Sequence, residues 1–364
     1  MRTASESEWL RVREHLRVHR HPLGISAADG YPSAARVAGT PLLTAPAWTP
    51  ATPLPLEAIA LSLSRDSGQF PVREAEGGTV PYREDGSGYG RYSQAMLELD
   101  APAIFENRAL YRLAAADLAG PAPRLEFGAG RYFDALDVGT AAAHEYASGA
   151  GTGHHSLREA IGDPCDLSAR PVMMAVATLT LRVDRESGTA TFPLHHRDPL
   201  KVGHAGGMYQ VIPAGIFQPS GEAEWNARND FSLWHCMVRE YAEELLGVPE
   251  DHDSEHGPIN YEAWPFAQRM TACQEAGLIR AWCVGLGVDP LTFATDLLTV
   301  AAFDAPVYDE LFGDLVGVNA EGTVVAAQPF DPATVTALIA SYPVQAAGAA
   351  LLALAIRHAD VLLA

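Results

Sequence analysis

An amphipathic helix with three clustered glutamates is predicted at residues 231–247, FSLWHCMVREYAEELLG. Residues three and four apart share one side of a helix, so Glu240, Glu243 and Glu244 project together. The other stripe is apolar or aromatic and consists of Leu233, Trp234, Met237, Val238, Tyr241 and Leu245. Because such a stripe has to be buried against another element, the helix predicts a sheet beside it.

Strand-like runs on both sides of this helix supply that sheet. Upstream, residues 171–183 and 189–196 flank the turn DRESG and predict a hairpin, and GMYQVI at 207–212 predicts a third strand. Downstream, IRAWCVGLG and LLTVAAF predict two more strands, with helices near residues 261–277, 332–341 and 345–363. This order predicts an α/β protein whose C-terminal half is an α/β/α sandwich with a mixed sheet.

The first half of the chain has a different pattern. We predict an N-terminal α+β domain of unknown role at residues 1–165 and a second domain at 166–364, divided in the Gly-, Asp- and Pro-containing stretch 149–170. Helices are predicted at residues 7–20, 103–119 and 134–148, and short strands within 59–98. The proline-rich stretch 21–58 predicts an extended segment, because proline disrupts helices.

Charge and cysteine content exclude several classes of function. The formal charge is 25 − 45 = −20, which makes nucleic acid and anionic membranes unfavourable partners. The four cysteines include no C-x-x-C pair, so a cysteine zinc site is not expected. The N-terminus has no apolar signal region and the apolar C-terminal stretch is interrupted by Arg357, His358 and Asp360. We therefore expect a cytoplasmic protein with no membrane span.

The glutamate cluster predicts a cation site, because neighbouring carboxylates repel each other unless a cation or water shields them. Mg²⁺ takes oxygen ligands and keeps several waters, which leaves positions for phosphate oxygens. A water activated there can attack phosphorus. The alternative is a solvated helix face that carries glutamate for its helix propensity.

The run Arg239-Glu240-Tyr241-Ala242-Glu243-Glu244 resembles the REUXEE core of the Nudix superfamily motif, GX5EX7REUXEEXGU. The preceding VIPAG, residues 211–215, looks like the strand-to-loop entry of that motif. Between Gly215 and Arg239 the chain is about ten residues longer than the motif, with SGEAEWNARND inserted. Glu222 and Glu224 are the candidates for the first motif glutamate, and Gly247 stands one residue late.

This resemblance, over residues 171–305, implies a Nudix-like fold and divalent-metal-dependent hydrolysis of a diphosphate bond in a nucleoside diphosphate linked to another group. Glu243 and Glu244 would ligate Mg²⁺ or Mn²⁺, and Glu240 would ligate the metal or orient the attacking water. Arg239 would hold Glu243, four residues away on the helix. Gly215 would let the backbone approach the metal and phosphate, since glycine has no Cβ. A homodimer is compatible with the resemblance.

Other interpretations of the same residues stay open. His196, Arg197 and Lys201 near the hairpin tip are candidate phosphate contacts, and a solvated tip is the alternative. With AIFEN at 103–107 and QVIPAGIFQPS at 210–220, the chain is also similar to actinobacterial regulators. This similarity implies a Nudix-like domain that senses a nucleotide-type ligand without hydrolysing it. A third option is an interaction protein that works through residues 1–165. The histidines at 144, 154, 155, 195, 196 and 204 lack the spacing of one metal-binding helix face, and Cys236 is expected in the core. Trp282 and Phe293 are expected in the core, and stacking on a base is the alternative.

Overall fold

The computed structural model describes residues 2–66, 68–71, 79–102, 105–149, 156–197, 206–249, 254–313 and 322–364. The chain is a mixed α/β protein with two sheets. Eight strands form the larger sheet: β1 (Leu54–Pro55), β5 (Met174–Asp184), β6 (Thr189–Arg197), β7 (Tyr209–Gln210), β8 (Ala214–Ile216), β9 (Ile279–Val288), β10 (Thr295–Asp304) and β11 (Gly322–Pro329). Three form the smaller one: β2 (Ala60–Leu63), β3 (Ala109–Asp117) and β4 (Arg124–Arg131).

The larger sheet is mixed, as predicted. Its strands follow the order β1-β9-β10-β5-β6-β11, with β7 paired to β6 and β8 paired to β5. The β10–β5 pair is parallel, and the other pairs are antiparallel. The predicted hairpin corresponds to β5 and β6, whereas the third predicted strand shortens to the two residues of β7.

Twelve α-helices lie in the described part of the chain. They are α1 (Ala4–Val18), α2 (Arg20–Asp29), α3 (Tyr92–Leu99), α4 (Tyr132–Ser148), α5 (Ser156–Ile161), α6 (Asn226–Asn229), α7 (Leu233–Leu246), α8 (Pro265–Glu275), α9 (Ala305–Phe312), α10 (Pro332–Ser341), α11 (Ala346–Arg357) and α12 (Ala359–Leu362). None of these described helices combines the length and the apolar character that a membrane crossing requires.

The predicted glutamate helix is confirmed as α7. The Ser232 hydroxyl caps it by accepting a hydrogen bond from the His235 backbone N–H at 3.3 Å. Gly247 ends it in the left-handed region, at a φ of 70°, so that its N–H can reach back to the last turn. The apolar stripe of α7 packs on one face of the larger sheet, where the Tyr241 and Thr180 hydroxyls are 2.7 Å apart.

Helix α11 covers the other face of the larger sheet. Leu351 and Ala350 of α11 share a core cluster with Leu179 of β5 and Leu298 of β10. Because successive strand residues point to opposite faces, Val176 and Leu297 fall in the cluster on the α7 side. The sheet therefore has helices on both faces.

The prediction of short strands within 59–98 holds for β2, whereas residues 92–99 form helix α3. Two further predictions for the first half are wrong. Residues 109–117 form strand β3 and not a helix, because Leu110, Tyr111 and Leu113 are buried in pairing with β4 and against the larger sheet. Tertiary pairing thus overrides the helix propensity of this alanine-rich stretch. Residues 21–29 lie in helix α2, so the extended segment begins only after Asp29.

Contacts connect the two halves of the chain. Strand β1 pairs with β9 at the edge of the larger sheet. The Tyr111 ring of β3 lies 4.6 Å from the ring of Phe217 and 5.0 Å from that of Phe231, which both belong to the second half. The division near residue 165 stays a prediction.

Candidate functional site

A cavity of about 690 Å³ lies at the end of the larger sheet where β5 and β10 begin. Such a volume suits a ligand of nucleotide size. Its walls come from α2, α4, the start of β5, the end of β6, β7, β8, α7, the loop between β9 and β10, and the start of α11. The charged lining residues are Arg20, Arg108, Arg170, Arg197, Glu106, Glu240, Glu243, Glu244, Asp289 and Asp296.

The three glutamates of α7 all line this cavity. Glu240 and Glu244 are buried, and Glu243 is partly exposed. The Ala214 backbone N–H donates to Glu244 Oε1 at 2.8 Å, and His195 Nδ1 lies 3.8 Å from Glu244 Oε2. Strands β8 and β6 therefore fix the orientation of Glu244.

Gly215 touches the cluster directly. A Cβ built on Gly215 would lie 1.9 Å from the carboxyl carbon of Glu240 and 2.0 Å from each of its oxygens. Pairing of Gly215 with Val176 of β5 holds the backbone at this position. Only glycine fits there, because any side chain would displace the Glu240 carboxylate.

Arg239 has other partners than the one predicted. Its Nη1 donates to the Tyr261 hydroxyl and its Nη2 to the Gln218 carbonyl, both at 2.7 Å. Its ion pair is with Asp230, at 3.7 Å from Nη1 to Oδ1. Within the described residues Arg239 does not contact Glu243, because its side chain turns toward the loop ahead of α7.

Hydrogen bonds join the first and last residues of the inserted segment SGEAEWNARND. Both the backbone N–H and the hydroxyl of Ser220, its first residue, donate to Asp230 Oδ2 at 2.8 and 2.6 Å. Asp230, its last residue, also accepts from the Tyr261 hydroxyl at 2.8 Å. The extra residues therefore form a loop between β8 and α7 whose two ends lie close together. Nothing in the local sequence pattern distinguishes Asp230 as the residue that closes it.

The two candidates for the first motif glutamate point away from the cavity. Glu222 Oε2 accepts from Arg131 at 2.6 Å, and Glu222 Oε1 accepts from the Ala109 backbone N–H at 2.8 Å. Glu224 is exposed beside Arg65. Glu222 thus connects the inserted loop to the smaller sheet. Neither Glu222 nor Glu224 is among the described residues that line the cavity.

Only part of the predicted phosphate-binding set reaches the cavity. Arg197 lines it, whereas His196 is not among the described lining residues and packs its ring 4.8 Å from that of Tyr209. The two are neighbours on β6, so their side chains leave opposite faces. Lys201 and the histidines at 154, 155 and 204 lie outside the described residues.

Sequence reasoning missed Arg170, which also lines the cavity. This side chain is 3% exposed, and its nitrogens donate to the Pro164 and Pro171 carbonyls and the Thr295 hydroxyl at 3.2 to 3.4 Å. Within the described part of the chain it has no carboxylate partner, and its Nε has no hydrogen-bond partner. Burial lowers the pKa of Arg170 to about 10, so the group is still a cation at neutral pH.

Asp289, directly after β9, and Asp296, at the start of β10, form an acidic corner of the cavity. Burial, and after it the nearby Asp289, raise the pKa of Asp296 to about 7 against the opposing effect of Arg197. Burial also lowers the pKa of Arg20 to about 10, against the attraction of Asp289. Asp296 can therefore exchange a proton near neutral pH.

Two buried glutamines belong to the polar lining. Gln210 and Gln345 both line the cavity and are both buried. Gln210 Oε1 and Gln345 Nε2 have no hydrogen-bond partner among the described residues. Both atoms have almost no accessible surface, so they lie behind the cavity wall.

The remaining predictions concern cysteines, aromatic residues and metal ligands. Cys236 is buried, as predicted, with its Sγ 3.8 Å from the Ile216 carbonyl oxygen. Trp282 and Phe293 are also buried, but Phe293 lines the cavity as well. Among the described side chains, no group of three or more His, Cys, Asp or Glu is arranged to hold a metal ion.

Comparisons with known proteins add no assignment. No protein-family model matches the chain, and no curated protein matches it. The site therefore has to be interpreted from its own geometry.

Proposed function

We propose that this chain has a Nudix-like fold and hydrolyses the diphosphate bond of a nucleoside diphosphate linked to another group, with Mg²⁺ or Mn²⁺. The observation that carries the proposal is that Glu240, Glu243 and Glu244 line one cavity together with four arginines. Arginines recognise phosphate through charge-assisted hydrogen bonds. Carboxylates beside them can hold the cation that accompanies a diphosphate.

The donor chemistry of the cavity fits such a cation. Glu240 and Glu243 would hold it, and Glu244 would contribute from its position against Ala214 and His195. Mg²⁺ commonly uses one or two carboxylates, with phosphate oxygens and waters as its other ligands, so it does not need a cage of three protein side chains. When bound, the cation would neutralise phosphate charge and lower the pKa of a bound water.

The protein groups have separate tasks in this proposal. Arg197 and Arg20 would bind phosphate oxygens, and Arg170 would add a buried positive charge to the same cavity. Gly215 would keep the Glu240 carboxylate in place by leaving it room. Asp296 would accept or release a proton, because burial, as the largest cause, raises its pKa to about 7.

A second candidate function is ligand sensing without hydrolysis. The observation that favours it is the position of Arg239, which pairs with Asp230 and Tyr261 instead of supporting Glu243. The positions of Glu222 and Glu224, away from the cavity, also favour it. A nucleotide-type ligand would then bind in the same cavity and leave unchanged.

The cellular setting we propose is the cytoplasm. All four cysteines are free thiols, which is the usual state in a reducing compartment. A homodimer stays a prediction.

The test is a hydrolysis screen of the purified chain against nucleoside diphosphate sugars and dinucleoside polyphosphates, with Mg²⁺, Mn²⁺ or EDTA. We expect metal-dependent product that falls by about 100-fold or more in Glu243→Gln, about 3 kcal/mol of activation free energy. Glu275→Gln, on the exposed side of α8, is the matched control and should be fully active. Thermal stabilisation by a compound that is never cleaved would favour the sensor. The absence of both product and thermal stabilisation would contradict both functions.

A further inference from the structure

A second cavity, of about 150 Å³, lies beside the smaller sheet, and the proposed hydrolysis does not use it. Its described walls come from residues 68–70, β3, the end of β4, the start of α4 and the segment 171–173 ahead of β5. Ligand sites for nucleotide-sized molecules have volumes of roughly 300 Å³ or more. This cavity therefore suits a smaller molecule than the one proposed for the larger cavity.

Arg112 of β3 is the buried cation of this cavity. Its side chain is 6% exposed and lines the cavity. It lies opposite Gly128 of β4, where a Cβ would be 2.4 Å from Arg112 Nη2 and 2.2 Å from the Asp66 carbonyl oxygen. A Cβ on Gly130, the next residue on that face, would be 2.9 Å from Arg112 Cβ. The two glycines thus leave the space that the arginine side chain fills.

Arg112 forms no ion pair with a carboxylate of the described residues. Its Nη2 donates to the Asp66 backbone carbonyl at 3.2 Å, and its Cζ lies 5.1 Å from the centre of the Phe70 ring. Its Nη1 has no hydrogen-bond partner among the described residues and, unlike Nε, is not sealed from solvent. Burial lowers the pKa of Arg112, and Asp66 opposes that effect. Because arginine stays charged at neutral pH, the cavity wall has a cation with an available donor.

The two other arginines at this cavity already have carboxylate partners. Arg91 lies 4.0 Å from Asp134, and Arg131 Nη1 donates to Glu222 Oε2 at 2.6 Å. The side chains of Arg91 and Arg131 are 49% and 44% exposed, so solvent reaches the cavity on this side. A ligand that enters there meets Arg112 as the cation that still lacks an anionic partner.

Much of the remaining wall is apolar, with Phe70, Leu110, Ala135, Pro171 and Val172 among its residues. A cavity of about this volume can take a molecule with the size of benzene, which has about six non-hydrogen atoms. A planar carboxylate matches the fork of a guanidinium, and a short hydrocarbon chain matches the apolar wall. Inorganic phosphate would pair with the cation but would leave that wall without an apolar partner.

We propose that this cavity binds a short-chain monocarboxylate, with the carboxylate on Arg112 and the hydrocarbon chain against Leu110 and Val172. The inference goes beyond the proposed function and does not depend on it, because the diphosphate site lies in the larger cavity. Ala135 and Met173 line both cavities, so the two ligands would bind as neighbours.

Calorimetry with the full chain, at constant ionic strength and in EDTA, tests this site. The probes are acetate, propionate, butyrate and inorganic phosphate, and EDTA removes any cation from the α7 glutamates. Arg112→Met removes the charge, Arg112→Lys keeps it without the planar fork, and Phe70→Ala removes part of the apolar wall. Arg124→Met is the matched control, because Arg124 lies on the same sheet, is 52% exposed and pairs with Asp117.

We expect affinity to rise about fourfold for each methylene from acetate to butyrate. Arg112→Met should weaken butyrate by about tenfold or more, and Arg112→Lys should weaken it less. Phe70→Ala should flatten the rise from acetate to butyrate, which tests the apolar wall even if an Arg112 variant fails to fold. Arg124→Met should bind butyrate like the parent chain.

Three results would overturn the site. Equal affinity for acetate and butyrate, or tighter binding of inorganic phosphate than of butyrate, would contradict a monocarboxylate ligand. Parent-like butyrate affinity in Arg112→Met would show that butyrate binds elsewhere in the chain. Absence of binding by all three carboxylates would also contradict the site. The hydrolysis screen tests the proposed function separately, since its substrate and its Glu243→Gln variant concern the larger cavity.

Discussion

At the scale of single residues, Gly215 leaves the least room for a side chain among the described glycines. Its missing side chain leaves the space that the Glu240 carboxylate fills, since a Cβ would lie 1.9 Å from the carboxyl carbon. We expect Gly215→Ala to displace Glu240 and to weaken Mg²⁺-dependent binding of pyrophosphate at least tenfold. Gly257→Ala is the control, because a Cβ there meets nothing within 4 Å. Equal affinities in the two variants would show that the position of Glu240 is irrelevant to binding.

Asp296 should give the chain a stability that depends on pH. Burial and the neighbouring Asp289 raise the pKa of Asp296 to about 7, well above the value of about 3.9 for an unfolded aspartate. Between these values the folded form keeps a proton that the unfolded form has released. The contribution of Asp296 to the free energy of unfolding therefore falls as pH rises from about 4 to 7, by about 1.4 kcal/mol per pH unit, and stays level above pH 7.

Asp296→Asn should remove this dependence. Urea unfolding at pH 5 and at pH 8 should show the variant gaining free energy of unfolding over the parent chain, with the larger gain at pH 8. Asp360→Asn, at an exposed position on α12, should leave the pH profile unchanged. A gain that is the same at both pH values would mean that Asp296 does not titrate in this range.

At the scale of elements, Arg239 joins α7 to the loop before it and to Tyr261 after it. Asp230 is fully buried and depends on Arg239 for its nearest positive charge. We expect Arg239→Met to lower the free energy of unfolding by about 3–5 kcal/mol, because it leaves a buried carboxylate uncompensated. Combining it with Asp230→Asn should cost less than the sum of the single variants.

The exposed ion pair between Arg269 and Glu310, at 2.6 Å, provides the control for this experiment. Arg269→Met should cost less than about 1 kcal/mol, since solvent screens such pairs. Equal losses for Arg239→Met and Arg269→Met would show that the Arg239 network contributes no more than a surface contact.

The elements that the sequence predicts well are those whose own residues determine them. Helix α7 has a serine cap, a glycine stop and an apolar stripe; β5, β9 and β10 are largely apolar runs, and β6 follows β5 after a turn. The sequence of β3 predicts a helix instead, because ALYRLAAAD has high helix propensity and only its contacts with β4 and the larger sheet make it extended. Local pattern is a poor guide where a distant partner decides the conformation.

The same distinction applies to the candidate site. Glu240, Glu243, Glu244 and Gly215 belong to one motif-like segment, so the local sequence pattern identifies them together. Arg20, Arg170, Asp296, Gln210 and Gln345 also line the cavity, but they come from separate elements and follow no spacing rule. Only the fold brings these residues together, so the structure is needed to show that these polar side chains are buried side by side.

At the scale of the whole molecule, the two halves of the chain share a core and a cavity. Arg20 and Tyr132 from the first half face Arg197 and Glu243 from the second across the cavity. Strand β1 covers the edge of β9, and the aromatic rings of Tyr111, Phe127, Phe217 and Phe231 pack together. Separating the halves would expose this edge and these rings to water.

We therefore expect residues 166–364, expressed alone, to lack cooperative folding. The exposed apolar surface costs about 25 cal/mol for each Å², and the unpaired edge of β9 invites aggregation. Near-ultraviolet circular dichroism and urea unfolding would show a broad, weak transition, and coexpression with residues 1–165 should restore a sharp one. A sharp transition for residues 166–364 alone, at the midpoint of the intact chain, would instead establish the predicted division as a true domain boundary. The first half would then act on the cavity only as a cover, with no part in the stability of the sheet.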